Sequence, residues 1–274
     1  MNIQEIVAIL TNSGIEQNEA NVEVKMLIEH YCNYGIKDII MGRPLDYEKL
    51  KIVKEKAQLR ARTKLPIQYI IGATYFMNNL YTVTPDVLIP RDETEIVVRH
   101  ALKIIDDNNL KTILDIGSGS GCIACSIAQN TNCKVLSCDI SEKALNIAKQ
   151  NAKKLNIQNI EFIHSDLFQN ISKEQRFDLI ISNPPYIPKG TDLQKEVTFE
   201  PKTALFTNDE DGTEFYKKII EQGKIHLNKN GYIVFELGIN QSSIVEEYFK
   251  QHNYSNIIIE KDLANIDRVI SAKI

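Results

Sequence analysis

The spacing of apolar residues along the chain changes near Pro66. Before it, apolar side chains recur at helical intervals, as at Ile3, Ile6, Val7 and Leu10, so residues 1–64 are expected to be helical. After about residue 90, short apolar runs alternate with amphipathic stretches. The predicted strands are 111–116, 134–139, 160–166, 177–182 and 232–238, and two intervening helices cover 141–155 and 213–227. A helix from 93 to about 105 is expected to open on a capping box formed by Asp92 and Glu95.

This alternation of strands and helices predicts an α/β domain. Nearly continuous apolar strands are typical of a mainly parallel sheet that is covered on both faces. The last two apolar runs, SNIIIEKD and DRVISAKI, are joined by a short loop and predict an antiparallel hairpin at the end of the sheet. The expected organisation is a helical domain over 1–73, a hairpin-like linker over 74–90 and the α/β domain over 91–274.

Composition narrows the class of protein. The net charge of −4 does not favour a large non-specific nucleic-acid surface, and no apolar run is long enough to span a membrane. Five cysteines without framework spacing suit a reducing compartment. We therefore expect a cytosolic protein that makes no stable complex with nucleic acid.

A glycine-rich loop follows the first strand of the α/β domain. The sequence DIGSGSG (115–121) departs from the dinucleotide fingerprint because Cys122 replaces its last glycine, and from the phosphate loop because no lysine follows. The loop residues that are expected to approach a ligand are Gly117, Ser118, Gly119, Ser120 and Gly121.

Acidic and apolar residues end the next two strands. Asp139 ends the second strand, where a carboxylate binds ribose hydroxyls and repels a 2′-phosphate. With the glycine loop, it predicts a nucleoside ligand without a phosphate chain, such as S-adenosylmethionine. After the third strand, HSDLF (164–168) is expected to flank adenine through Leu167 and Phe168. Ordinary core packing is the alternative for Phe168.

The strand FDLIIS ends in the tetrapeptide Asn183, Pro184, Pro185 and Tyr186. In a doubly wound sheet this end lies beside the glycine loop, where ligands bind. The Asn183 side-chain oxygen and the Pro184 carbonyl are suited to accept both protons of a planar amino group, while Tyr186 stacks on it. Two prolines hold these acceptors in place before substrate arrives. A strand-ending turn is the simpler interpretation.

Several segments together resemble one family. NPPY, DIGSGSG, VLIPRDETE (87–95), LPIQYIIG (65–72), FEPKTALF (199–206) and ELGINQ (236–241) are similar to the release factor glutamine methyltransferases, the PrmC or HemK family. Two positions depart from its pattern: Asp92 stands where proline is usual, and Leu167 stands where some relatives have tryptophan.

The resemblance implies a Rossmann-like class I methyltransferase domain preceded by a helical substrate-docking domain. The implied reaction transfers a methyl group from S-adenosylmethionine to the side-chain nitrogen of the glutamine in the Gly-Gly-Gln loop of class I peptide-chain release factors. It implies that Asn183, Pro184, Pro185 and Tyr186 bind that glutamine, with Asn183, Pro184 and Tyr186 catalytic. It also implies that residues 117–121 and Asp139 bind the cofactor and that Asn183 borders the methyl donor.

Other signals leave alternatives open. Cys122 and Cys125 are expected to be structural, since no second ligand pair has matching spacing and no metal is expected. The basic segment 51–64 is either a solvated helix face or a docking surface, and its bases are Lys51, Lys54, Lys56, Arg60, Arg62 and Lys64. Two competing functions remain: an adenine-N6 methyltransferase acting on DNA or RNA, and a non-catalytic protein that binds the cofactor and escorts a ribosomal factor.

Overall fold

The computed structural model describes residues 2–274, which divide into two compact units. The first unit contains the chain up to Ala73 together with Leu193–Phe199, and the second contains Thr74–Asp192 and Glu200–Ile274. The sequence pattern assigns Leu193–Phe199 to the α/β domain, whereas the structure groups this segment with the helical unit. Within the described residues, no helix combines the length and the apolar character that a membrane span requires.

The first unit is helical. Its elements are α1 (Ile3–Thr11), α2 (Gln17–Cys32), α3 (Ile36–Ile40), α4 (Tyr47–Thr63), α5 (Ile67–Ile71) and a 3₁₀ turn over Val197–Phe199. The apolar faces of the longer helices form one core, in which Leu10, Leu27 and Val53 are fully buried. Asn2 caps α1 by accepting the Glu5 N–H at 2.9 Å.

The guanidinium of Arg60 lies inside this unit. Arg60 is 1% exposed and donates from Nε to both carboxylate oxygens of Glu23 at 2.9 and 3.1 Å. It also lies 3.1 Å from Glu196 and 3.6 Å from Glu19. Arg60 therefore cannot belong to an exposed basic docking surface, because its guanidinium is buried and paired with carboxylates, of which Glu23 is itself buried. Elsewhere in the segment, Lys51 pairs with Glu48.

A β-hairpin begins the second unit's structure. Strands β1 (Ala73–Phe76) and β2 (Asn79–Thr82) are joined by Met77 and Asn78, which both have positive φ. Positive φ at both central residues is the geometry of a tight hairpin turn. All but the first residue of this hairpin lies within 74–90, the segment for which the sequence suggests a hairpin-like linker.

Among the described residues, seven strands form the main sheet in the order β10-β11-β9-β6-β3-β4-β5. They are β3 (Thr112–Ile116), β4 (Lys134–Asp139), β5 (Ile160–His164), β6 (Phe177–Ser182), β9 (Leu227–Glu236), β10 (Ser255–Lys261) and β11 (Asp267–Lys273). The remaining elements are α6 (Asp92–Asn108), α7 (Cys122–Asn130), α8 (Glu142–Lys154), β7 (Ile187–Pro188), α9 (Lys202–Leu205), β8 (Phe206–Thr207), α10 (Glu214–His226) and α11 (Ser242–Gln251).

The sheet is parallel from β5 through β9, and β11 pairs antiparallel with both β9 and β10. An apolar core covers each of its faces. The predicted α/β class and the terminal antiparallel hairpin are confirmed.

The capping box predicted at the start of α6 is wrong. The helix begins at Asp92 with Arg91 at the N-cap, and no side chain caps it. Glu95 is held elsewhere, since its Oε1 accepts the Met77 N–H at 2.7 Å and its other oxygen pairs with Arg99. The Glu95 carboxylate, which the local sequence pattern assigns to the start of the helix, thus binds the β1–β2 hairpin instead.

Candidate active site

The glycine loop is held against the end of β4. The N–H groups of Gly117 and Ser118 both donate to the Cys138 carbonyl, at 2.8 and 2.9 Å, and the Gly119 N–H donates to Asp139 Oδ2 at 2.8 Å. Gly121 has φ +80°, and a Cβ there would lie 3.0 Å from that of Ala148. Only glycine fits this turn without displacing α8.

Asp139 has acceptor capacity left after these contacts. Its Oδ1 accepts the Ser141 N–H at 2.8 Å, so each carboxylate oxygen holds one backbone donor. Burial raises the pKa of Asp139, and the two backbone donors oppose that shift. Because each carboxylate oxygen accepts at more than one position, the half-buried group retains sites for two hydroxyl protons.

A buried acid lies beneath the loop. Asp115 is fully buried, and its Oδ2 accepts from Ser137 Oγ, which lies 2.6 Å from Ser118 Oγ. Burial raises the pKa of Asp115 to about 7. Within residues 2–274 its other oxygen, Oδ1, has no hydrogen-bond partner. Beside the glycine loop, the Asp139 carboxylate with its remaining acceptor positions fits a nucleoside ligand such as S-adenosylmethionine.

The NPPY tetrapeptide lies beside this loop. Ile116 at the end of β3 pairs with Ser182 at the end of β6, and the Ser182 hydroxyl donates to the Ile116 carbonyl at 2.6 Å. A Cβ on Gly117 would lie 4.0 Å from the Asn183 carbonyl oxygen. The structure therefore brings the predicted glycine loop and NPPY together at one edge of the sheet.

The Asn183 side chain is oriented by residues that the sequence pattern does not single out. Its Nδ2 donates to Thr94 Oγ1 at 3.4 Å, and the Thr94 hydroxyl donates to Glu236 Oε2 at 2.6 Å. In the described part of the chain, no group donates to Asn183 Oδ1. The acceptor oxygen of Asn183 is thus left for a ligand.

Gln241 fixes the far end of the tetrapeptide. Its Nε2 donates to the carbonyls of Tyr186 and Asp211, both at 2.9 Å, while its Oε1 accepts from the Gly238 N–H at 3.1 Å and from the Tyr216 hydroxyl at 3.3 Å. Gln241 is 7% exposed. Gln241 belongs to ELGINQ, one of the segments that resemble the family, but no local sequence pattern indicates these hydrogen-bond partners.

Glycines complete the frame around Tyr186. A Cβ on Gly212 would lie 2.2 Å from the Tyr186 carbonyl oxygen, and one on Gly238 would lie 2.9 Å from the Tyr186 ring. Such distances are shorter than van der Waals contact, so both positions require glycine. The ring is half-buried, and burial raises the pKa of Tyr186 to about 12, which keeps the phenol neutral.

Leu167 and Phe168 have different surroundings. Leu167 is half-buried and has φ +48°. Phe168 is 6% exposed, and its ring stacks on His226 with centroids 4.9 Å apart and planes 9° apart. The core-packing alternative therefore describes the Phe168 ring, since it already has an aromatic partner inside the protein.

Cys122 and Cys125 are buried free thiols on α7. Burial raises the pKa of both, to about 12 for Cys122. Residues 2–274 contain no group of three or more His, Cys, Asp or Glu side chains placed to hold a metal ion.

Comparisons with known proteins agree with this geometry. Residues 92–201 match the methyltransferase small domain family model. The chain is 38% identical to a release factor glutamine methyltransferase of Flavobacterium psychrophilum, over 94% of this chain and 93% of the relative. It is 37% identical to one of Geobacter sulfurreducens, over 97% and 93% of the two chains.

Among solved structures, a ribosomal protein L11 methylase from Lactobacillus delbrueckii matches with a TM-score of 0.52 and 21% identity. This match covers 70% of this chain and 84% of that one, and it shows a shared fold. The two curated relatives match over nearly their whole length at well above 30% identity. The chain therefore belongs to the release factor glutamine methyltransferase family.

Proposed function

We propose that this protein methylates the side-chain amide nitrogen of the glutamine in the Gly-Gly-Gln loop of class I release factors, using S-adenosylmethionine. The observation that carries the proposal is the orientation of Asn183. Its Nδ2 donates to Thr94, its Oδ1 accepts from no group within residues 2–274, and its backbone lies beside the glycine loop. A free acceptor at this position suits a substrate that brings an N–H₂ group. The names of the curated relatives specify the release factor glutamine.

The cofactor is proposed to bind through the loop 117–121 and Asp139, with Leu167 and the Phe168 backbone beside the adenine. When bound, S-adenosylmethionine supplies a methyl group on a sulfonium, which leaves as a neutral thioether. Asp139 would accept hydrogen bonds from the ribose hydroxyls, and two backbone N–H groups already hold its carboxylate in place. Charge-assisted hydrogen bonds of this kind are stronger than neutral ones.

Asn183 and Pro184 are proposed to orient the nucleophile. An amide nitrogen is weakly nucleophilic because its lone pair is delocalised into the carbonyl. Asn183 Oδ1 and the Pro184 carbonyl accept hydrogen bonds from its two N–H groups. These bonds turn the nitrogen towards the methyl group. Methyl transfer would form the N–C bond and break the S–C bond, and one proton of the amide nitrogen would pass to solvent. Gln241 holds Tyr186 so that its ring can stack on the amide. Acceptors fixed in advance lower the barrier without reorganisation.

The helical unit is proposed to dock the release factor, in the cytoplasm where translation terminates. The burial of Arg60 restricts any electrostatic docking surface to bases such as Lys56 and Arg62. Reversing the charge of these two residues is expected to raise KM for the release factor, with the defect depending on salt. An unchanged KM would favour the alternative, in which this helix face is solvated and contacts no partner.

The test is to incubate the protein with labelled S-adenosylmethionine and separate pools of release factor, DNA and RNA. Label is expected on release factor, in the Gly-Gly-Gln peptide, and to be absent from a release factor whose loop glutamine is replaced by alanine. Label on nucleic acid alone would favour the adenine-N6 alternative, and cofactor binding without labelling would favour the escort.

Two variants assign the roles. Asn183→Ala is expected to lower turnover by roughly 100-fold or more with a modest change in cofactor affinity. Asp139→Ala is expected to weaken cofactor binding at least about tenfold. Near-normal turnover in the first variant, or unchanged cofactor affinity in the second, would overturn the assigned role.

A further inference from the structure

A buried hydrogen-bond chain runs from β9 to the NPPY tetrapeptide. Glu236 is 3% exposed and Thr94 is 2% exposed. The Thr94 hydroxyl lies 2.6 Å from Glu236 Oε2 and 3.4 Å from Asn183 Nδ2. Among the hydrogen bonds of residues 2–274, the Glu236 carboxylate is linked to Asn183 through the Thr94 hydroxyl.

The single proton of a hydroxyl gives this chain a direction. An ionised carboxylate only accepts hydrogen bonds, so Thr94 must use its proton to donate to Glu236. Its remaining lone pairs only accept, and the Asn183 group that faces them must be the N–H₂. If the amide were rotated by half a turn, its oxygen would meet the lone pairs of Thr94 and its N–H₂ would point at the substrate nitrogen.

We propose that Glu236, acting through Thr94, is the positioning residue that sets the orientation of the Asn183 amide and so keeps Oδ1 available as the acceptor. The value of that orientation for catalysis rests on the proposed function. The orientation itself does not, because it follows from the hydrogen-bond chain when Glu236 is ionised.

The surroundings of Glu236 make this orientation sensitive to pH. Burial raises the pKa of Glu236 to about 7, and the Thr94 hydrogen bond opposes that shift. Glu93 further raises the pKa, whereas Arg268 and Arg91 lower it. The other titratable groups that face Glu236 are Tyr186, Tyr216 and Cys122. A protonated Glu236 is able to donate to Thr94, which frees the Thr94 proton for Asn183 Oδ1. The fixed orientation is therefore expected to be lost as the pH falls through about 7.

The direct test observes the Asn183 side-chain amide by NMR in ¹⁵N-labelled protein, with Asn183→Ala to assign the resonance. In the wild type we expect its shift to change with a midpoint near pH 7, the pKa of Glu236. Glu236→Gln is nearly isosteric and cannot ionise, so it should abolish this transition. Thr94→Val should displace the resonance and also abolish the transition. A transition that persists in Glu236→Gln, or a resonance unaffected by Thr94→Val, would overturn the proposal.

The kinetic test uses the same variants with release factor as substrate. Thr94→Val is expected to lower kcat about tenfold with cofactor affinity unchanged, as for the loss of one hydrogen bond in the transition state. Thr94→Ser keeps the hydroxyl and should retain more activity than Thr94→Val. The acidic limb of the wild-type kcat profile should disappear in Glu236→Gln. Equal rates in both Thr94 variants, or an unaltered limb in Glu236→Gln, would contradict the proposal.

The two tests separate this inference from the proposed function. The NMR measurement needs no methyl acceptor. A wild type that fails to label release factor would reject the proposed substrate, while the behaviour of the Asn183 resonance would still decide the role of Glu236.

Discussion

Replacing Gln241 by methionine tests whether the NPPY tetrapeptide is held by a buried amide. The substitution preserves length and most of the volume but removes every polar atom of the side chain. Four groups lose a partner: the carbonyls of Tyr186 and Asp211, the Gly238 N–H and the Tyr216 hydroxyl. A buried polar group left unpaired costs more free energy than the intact hydrogen bond contributed.

The expected loss of stability follows from these four contacts. At a net value of about 0.5–1.5 kcal/mol each, they sum to roughly 2–6 kcal/mol. The upper part of that range is excluded because two of the four groups keep a partner: the Tyr216 hydroxyl still donates to the Glu236 carbonyl at 2.9 Å, and the Gly238 N–H still donates to the Tyr216 oxygen at 3.2 Å. We therefore expect Gln241→Met to lower the free energy of unfolding by about 2–4 kcal/mol. Turnover should fall about tenfold to 100-fold, since a loosened Tyr186 misplaces the tetrapeptide.

Urea denaturation followed by circular dichroism measures the first quantity, and initial rates of release factor methylation measure the second. Gln251→Met is a matched control, because the Gln251 side chain is exposed and, within residues 2–274, hydrogen-bonds only to Glu247 on its own helix. We expect it to change stability by less than about 0.5 kcal/mol. Wild-type stability in Gln241→Met would refute the accounting of its contacts. Reduced stability with normal turnover would refute its role in positioning Tyr186.

Three further predictions concern stability. Arg60→Met leaves the buried Glu23 carboxylate without its partner and should cost about 3–5 kcal/mol in urea denaturation, part of which Glu23→Gln should restore; an unchanged midpoint would contradict this. The pKa of Asp115 is about 7 in the fold against an ordinary 3.8, so the native state holds the extra proton between these values and stability falls as pH rises through that window. Without ligand, the Tm of Asp115→Asn should depend less on pH than the Tm of the wild type. Equal slopes of Tm against pH would refute the raised pKa of Asp115. Gly121→Ala should cost at least about 1–2 kcal/mol in urea denaturation, because of its positive φ and the contact with Ala148, and wild-type stability would argue against that strain.

Much of the second unit is predictable because its strands are buried on both faces. Residues 134–139 and 177–182 are strands with the predicted bounds, since their apolar runs are ended by Asp139 and by Asn183. The glycine loop is predictable for a related reason, since its positive φ values leave few alternatives to glycine at Gly117, Gly119 and Gly121.

The rest depends on partners that are distant in the sequence. From the sequence alone, Arg60 is expected to be a surface base. In the structure it is surrounded by Glu23 and Glu196, which are 37 and 136 residues away in the sequence. Glu95 fits a capping pattern but is taken by the hairpin. Gln241 and Glu236 lie in ELGINQ (236–241), a segment that contributes to the family resemblance. Their roles nevertheless depend on contacts with residues that are distant in the sequence. Local patterns specify elements and strand ends, whereas the direction of a buried hydrogen bond requires the tertiary structure.

The grouping of Leu193–Phe199 with the first unit has a consequence for synthesis on the ribosome. Glu196 is made 136 residues after Arg60, which at roughly 5–20 residues per second is a delay on the order of ten seconds. During that interval the nascent helical unit has Glu19 and Glu23 around the guanidinium but lacks its third carboxylate. We expect nascent chains arrested before residue 193 to be cleaved by protease within this unit faster than chains arrested well after residue 199. Equal cleavage would show that the early part of the chain matures without the late segment. Faster cleavage of the shorter chains would show that the amino-terminal unit, although first to emerge, is completed only when most of the protein has been made.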